Sequence, residues 1–173
     1  MSKSYWIVVK TPENFSILKK RRFDMVGLTA HHRKKVQRME PDDRVLLYIS
    51  YERCFAATAI VTSSMVEDST PIWQPQGSSS LPFRVGIKPE IVLSKNEYVE
   101  AQHIAPRMDY IKRWTPELWH LAFQDTVHLI SKADFYLIEN EMLRSKTSRK
   151  ATKRQNFNQY SNLSSCILDS TSR

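Results

Sequence analysis

The architecture is read first from "RVLLYISYERCFAATAIVTSS", Arg44 to Ser64. Its two halves, Arg44–Ser50 and Cys54–Ser64, are rich in β-branched and aromatic residues. Between them stand only Tyr51, Glu52 and Arg53. Two such runs joined by a short polar loop read as a β-hairpin. Ala56, Ala57 and Ala59 are small residues within the second strand. They let a helix or another backbone pack close to it.

Upstream, "SYWIVVK" (Ser4–Lys10) reads as another strand. "TPEN" then opens a helix. Thr11 is a capping residue, and Pro12 suits the first helical position, where its missing N–H is no loss. That helix runs to about Arg21. Thr29 is expected to cap a second, short helix through Arg38, and "MEPDD" (Met39–Asp43) is a turn. Downstream, residues 66–81 read as a loop, long for a compact domain, with Trp73 in its middle. Loops of that length are usually functional or disordered. "PFRVGIKPEIVL" is a strand with Phe83, Val85 and Ile87 on one face and Arg84 and Lys88 on the other. "TPELWHLAF" (Thr115–Phe123) repeats the Thr-Pro-Glu helix start, and "TVHLI" (Thr126–Ile130) is a short strand. "SKADFYLIENEML" is a closing helix. Ser131 and Asp134 form a capping-box pattern, and Phe135, Ile138 and Met142 mark its apolar face. The class is α+β, with a largely antiparallel, curved sheet and helices beside it.

The chain of 173 residues carries a net charge of +8, unevenly spread. Residues 144–173 hold seven of the 26 Lys/Arg and one of the 18 Asp/Glu, a balance of +6; the 19 basic and 17 acidic residues of 1–143 leave +2. The expected organisation is a domain over 1–143 and a basic, Ser/Asn-rich, flexible tail over 144–173. Basic tails commonly hold phosphates without regard to sequence; the alternative is a solvated tail that maintains solubility. Cys54 and Cys166 lie far apart and suggest neither a disulfide framework nor a zinc spacing. No apolar run approaches the roughly 18 residues of a membrane span, and the first ten residues do not form a signal peptide. A cytoplasmic, reducing location with no membrane partner is the expectation.

"FDMVGLTAHHRKKVQ" (Phe23–Gln37) leaves three readings open: a metal site, acid–base catalysis, or a basic surface for a polyanion. His31 and His32 are adjacent, so on a helix they point about 100° apart, unlike the i, i+4 pair that zinc prefers. No metal and no cofactor are expected. There is no GxSxG, P-loop, GxGxxG or paired Cys–His signature, and three glycines do not make a phosphate cradle. An RNA-processing reaction using His31 and His32 stays as a distant alternative, with no catalytic residue assigned. Basic residues beside aromatic ones fit nucleic-acid binding better, since such proteins combine charged grooves with stacking platforms. Trp6 and Trp119 read as core. Trp73 and Trp114 read as pocket or pocket rim.

Seven stretches, in order, carry a resemblance: "YWIVVKTPEN", "VGLTAHHRKKVQRMEPDDRVLLYIS", "FAATAIVTSS", "PIWQP", "LPFRVGIKP", "YIKRW" and "ISKADFYLIE". Together they resemble the EVE domain, a member of the PUA-like superfamily related to the YTH readers of methylated adenine. The resemblance covers about residues 4–142. It implies a PUA-like, curved, mostly antiparallel β-barrel of about six strands with short helices around it. It also implies a pocket between the end of the first strand, the glycine segment and the loop before "PFRV", where relatives insert a modified base. By position, the pocket set is Thr11, Asn14, Val26, Gly27, Leu28, Tyr48, Ser50, Trp73 and Trp114. Lys10, His31, Arg33, Lys34, Lys35 and Arg113 are the phosphate-binding set. Many relatives have tryptophan immediately before the glycine, and here Val26 stands there, which replaces a π face by aliphatic area.

The resemblance implies a non-enzymatic nucleic-acid-binding domain, a reader of a modified base in DNA (modified cytosine) or in RNA. The alternative is a module for a free nucleobase-like or other planar small ligand. DNA or RNA, the base, its modification and the oligomeric state stay open.

Overall fold

The protein is described by a computed structural model that covers residues 3–75 and 80–148. Gly77, Cys166 and the basic tail from 149 onward lie outside the described residues.

A mixed, curled sheet forms a half-barrel in the strand order β2-β6-β4-β3-β1-β8. The strands are β1 (Tyr5–Lys10), β2 (Met25–Leu28), β3 (Arg44–Ile49), β4 (Cys54–Val61), β5 (Val66–Glu67), β6 (Phe83–Val92), β7 (Val99–Glu100) and β8 (Val127–Ile130). β3 and β4 pair antiparallel with a register shift at Leu47/Tyr48, the hairpin read from the sequence. β1 runs parallel to β3, from Tyr5 opposite Arg44 to Lys10 opposite Ile49. The other pairs are antiparallel. β5 adds to β6 and β7 adds to β4. Among the described residues no helix is long and apolar enough to cross a membrane.

β1 is buried along its whole length because both faces of the sheet are covered. Trp6 and Val8 face one core, shared with Phe15 and Leu18 of α1 (Pro12–Lys20) and with β2. Tyr5, Ile7 and Val9 face a second core, closed by Phe135, Ile138 and Met142 of a helix over 132–148 and by Ile104, Met108 and Phe123. Thr11 caps α1 as expected, its Oγ1 accepting from Asn14 N at 3.3 Å. The indole N–H of Trp6 donates to Asp43 Oδ2 at 2.8 Å, and Ser4 N donates to Oδ1 at 2.8 Å. Asp43 thereby locks the start of β1 to the turn before β3. Asp43→Asn removes one of these charged acceptors, so it should lower unfolding free energy by about 1–2 kcal/mol, read by urea denaturation. Unchanged stability would show that the lock contributes nothing.

Four local expectations change. Met25–Leu28 is a strand, paired with β6 across Val26–Val85 and Gly27–Arg84. Thr29 makes no cap hydrogen bond; its hydroxyl pairs with Thr126 Oγ1 at 3.1 Å, and the expected helix through Arg38 is a 3-10 turn (Ala30–His32) and one α-turn, α2 (Arg33–Val36). Pro116–Phe123 is 3-10 helix rather than α. Ser131 caps the last helix by accepting from Asp134 N at 3.1 Å, but the Asp134 carboxylate instead accepts the N–H groups of Asp109 and Tyr110 at 2.8 and 2.9 Å. For β2, Thr29 and Asp134 a long-range partner outcompetes the local one.

Candidate functional site

The predicted pocket residues fall into three separate places. The first lies where β1 ends, beside β2 and the loop before β6. Alternation along β1 sends Lys10 toward the same side as Trp6 and Val8. Its side chain is fully buried, and Nζ donates to the Gly27 carbonyl. Nζ also sits 5.8 Å from the centroid of the Trp73 ring, in cation–π range. Burial pushes the ammonium down to about 7, because taking it out of water disfavours the charged form.

Gly27 is needed here for closeness. A Cβ at position 27 would lie 2.4 Å from both Cδ1 and Nε1 of Trp73, so the indole packs directly on the strand backbone. Trp73 is 8% exposed, and its Nε1 has no hydrogen-bond partner among the described residues. Two clamps hold the loop that carries it. Asn14, buried on α1, donates from Nδ2 to Gln74 O and accepts Gln74 N at Oδ1, both at 2.9 Å. Arg84, on β6 opposite Gly27, pairs through Nη1 with Asp68 Oδ2 at 2.9 Å and through Nη2 with Thr70 O. Beside Trp73 opens a cavity of about 330 Å³, walled by Pro71, Ile72, Pro75, Leu81 and Pro82. Ligand clefts begin at about 300 Å³. Val26 and Leu28 belong to the core beneath and have no exposed surface.

The second place lies across the sheet. Thr11, Tyr48 and Ser50 line a cavity of about 300 Å³ at the carboxyl ends of β1 and β3, together with Tyr51, Arg53 and Phe123. The third is an apolar cavity of about 320 Å³, where Trp114 meets Trp119, Met108 and Ile111.

The basic set is also divided. His31, Arg33 and Lys34 are exposed on the turn that follows β2. The Arg33 guanidinium lies 5.8 Å from the Phe83 ring centroid. Lys35 is engaged: Nζ is 3.6 Å from Asp125 Oδ2 and donates to Val127 O at 3.4 Å. His32 faces Asp125 Oδ1 at 3.6 Å, and burial lowers its pKa. Arg113 is exposed and stacks over Tyr110 at 5.2 Å. Lys10 is a buried group under the first cavity. Among the described residues no three His, Cys, Asp or Glu side chains converge on one point.

Sequence reasoning missed Gln74 and Leu81 at the first cavity, Arg84 that clamps the loop beside it, and Tyr51, Arg53 and His120 at the second. Arg84 occupies the polar face of an alternating strand, so its pattern pointed to solvent. Only β5 and the 68–70 segment, which fold over that face, bury it.

The fold is similar to that of a YTH domain of Mmi1 solved with RNA (TM-score 0.64, 12% identity, 86% of this chain and 87% of that one). It is also similar to human THYN1 solved with DNA containing 5-methylcytosine (TM-score 0.54, 9% identity, 80% and 98%). A hypothetical protein from Leishmania major matches as well (TM-score 0.54, 17% identity, 84% and 98%). At these identities the likeness speaks for the fold. Comparison with curated protein sequences finds no match. The family model of the EVE domain matches residues 4–141, nearly all of the described chain. The curled sheet, the order of its elements and that match agree, and the chain belongs to the EVE domain family.

Proposed function

We propose that this EVE domain binds nucleic acid without catalysing a reaction, and that it holds one base of the bound strand in the cavity beside Trp73. The observation that carries this reading is the Trp73 indole itself. It forms an aromatic wall above a buried lysine and beside a cavity of ligand size. The complexes of human THYN1 with methylated DNA and of the Mmi1 YTH domain with RNA support it by analogy of fold.

The binding sequence follows from the charges. The net +8 draws a polyanion to the surface. His31, Arg33, Lys34 and Arg113 are exposed and available to phosphates. A base then enters beside Trp73 and gains a stacking face, worth about 1–3 kcal/mol per base. Val26 is buried core and does not line this cavity; its other walls, Ile72, Leu81 and the prolines, are apolar rather than aromatic. The side chains of Ser69, Thr70 and Gln74 line the cavity and are the polar groups that would read the edge of the base. The candidate bases are those with an added methyl, which gains apolar contact with Ile72, Leu81 and the prolines.

Fluorescence anisotropy with short DNA and RNA strands, with and without 5-methylcytosine, at two salt concentrations tests the reading. We expect binding that weakens with salt and that falls about tenfold or more in Trp73→Ala. Arg33→Ala with Lys34→Ala should weaken every strand alike and flatten the salt dependence; Lys35 is left intact because it braces Asp125 and Val127. Salt-independent binding, or none to any strand, would overturn the reading.

A further inference from the structure

The cavity at the carboxyl ends of β1 and β3 has no part in the base site at Trp73, because it opens on the other face of the sheet. Its floor is aromatic. Tyr48 packs on Phe123 with ring centroids 4.7 Å apart and on Phe55 at 5.2 Å. At its rim stands Tyr51, 81% exposed, the most exposed large apolar side chain among the described residues. Arg53 also lines it, held in a left-handed backbone conformation (φ 51°) that ends the hairpin turn. Its guanidinium has no ion pair among the described residues, and no carboxylate lines the cavity. The Ser50 hydroxyl is buried there with no hydrogen-bond partner among the described residues. His120 and Gln124 complete the polar edge.

These groups match one chemical class. An unpaired guanidinium in an acid-free cavity favours an anion. An exposed ring beside an aromatic floor favours a planar partner. A buried hydroxyl without a partner is relieved by a hydrogen-bonding edge. A nucleotide supplies all three.

The two cavities are joined through one short segment. Thr11 lines this one, and its hydroxyl accepts from Asn14 N, while the Asn14 side chain holds Gln74 next to Trp73. A strand that crosses the end of β1 passes both.

We propose that the Tyr48–Ser50–Tyr51–Arg53 cavity is a second nucleotide subsite, which takes a nucleotide flanking the one held at Trp73. Tyr51 stacks on its base and Arg53 meets its phosphate. The proposal rests on the reading of the Trp73 site as a base site, and the test separates the two.

The test uses the full chain and a single strand of about eight nucleotides, within the footprint of single-strand binders. Affinity is measured for wild type, Tyr51→Ala, Arg53→Asn and Trp73→Ala, with amide NMR shifts recorded on the wild type. Asn replaces Arg53 because it tolerates the left-handed backbone. Tyr51 is exposed, so its loss leaves the fold intact. We expect Tyr51→Ala and Arg53→Asn each to weaken binding about tenfold, with wild-type amides of residues 50–53 shifting on titration. Shifts at 50–53 with Trp73→Ala unaffected would keep the subsite and overturn the Trp73 reading. Shifts confined to Gly27 and Trp73, with both hairpin variants at wild-type affinity, would overturn the subsite and leave the Trp73 reading standing. No binding of the strand by wild type would overturn both.

Discussion

Lys10→Met should flatten the pH dependence of stability between pH 7 and pH 9. In the wild type the lysine gives up its proton at about 7 when folded, against 10.5 for an ordinary lysine. Between those values the unfolded chain holds more protons than the folded one, so unfolding free energy rises with pH. Below about 7 both states are charged and the full penalty of burying the ammonium is present; above 10.5 it is gone. The contribution of this one group from pH 7 to pH 9 is a gain of about 2 kcal/mol, and over its full range about 5 kcal/mol. Methionine has a similar shape and does not titrate, so the variant lacks this gain. It also loses the donor to the Gly27 carbonyl, which costs about 1–3 kcal/mol at every pH. Urea denaturation of both proteins at the two pH values measures the difference. Identical pH slopes would mean that Lys10 is not buried under Trp73 as a titrating group.

Gly27→Ala should evict Trp73. The new methyl would sit 2.4 Å from the indole, which ordinary packing does not allow. β2 cannot easily recede, because four of its residues pair with β6 from Met25–Gly86 to Leu28–Phe83. The far side of the loop is held by the two Asn14–Gln74 hydrogen bonds. The indole is therefore the part that moves. The expected loss of stability is about 2–3 kcal/mol, typical of an overpacked core position. A shift of the Trp73 indole N–H resonance should accompany it, and oligonucleotide affinity should fall about as far as in Trp73→Ala. Wild-type stability with an unmoved indole resonance would rule out the packing of Trp73 on the Gly27 backbone.

Much of the frame is legible in the chain. The hairpin over Arg44–Val61 follows from two β-branched runs with a three-residue polar break. The Thr11–Pro12 helix start and the apolar face Phe135–Ile138–Met142 are local patterns with local causes, and both recur in the fold. The second Thr-Pro-Glu start is equally clear as a start, yet its segment winds as 3-10 helix. β2 is short and contains glycine, so local propensity hides it; it is a strand because β6 offers it partners.

The candidate site divides along the same line. Trp73 stands out in the sequence as a tryptophan inside a long polar loop, and Arg33 and Lys34 as an exposed basic turn. The residues of the predicted pocket are divided between the two faces of the sheet, because neighbouring residues of an extended chain point to opposite faces, and Trp114, on no strand, lies apart with Trp119. Lys10 and Thr11 are adjacent in sequence, yet Lys10 lies under Trp73 and Thr11 lines the cavity across the sheet. Burial of Lys10 and Arg84 is set by segments far along the chain, so side-chain type alone points both toward water.

The α+β class, the central hairpin, the first strand and helix, and an aromatic loop in a chain with a basic turn are all written in local sequence. These rest on periodicity and on turn and cap chemistry, which act over a few residues. Packing in three dimensions makes β1 and β3 parallel, seals Lys10 beneath Trp73, leaves room for the indole at Gly27, and brings Tyr51 and Arg53 to one cavity with Ser50. Those outcomes depend on strand register and on which layer covers which face, and partners tens of residues away set both.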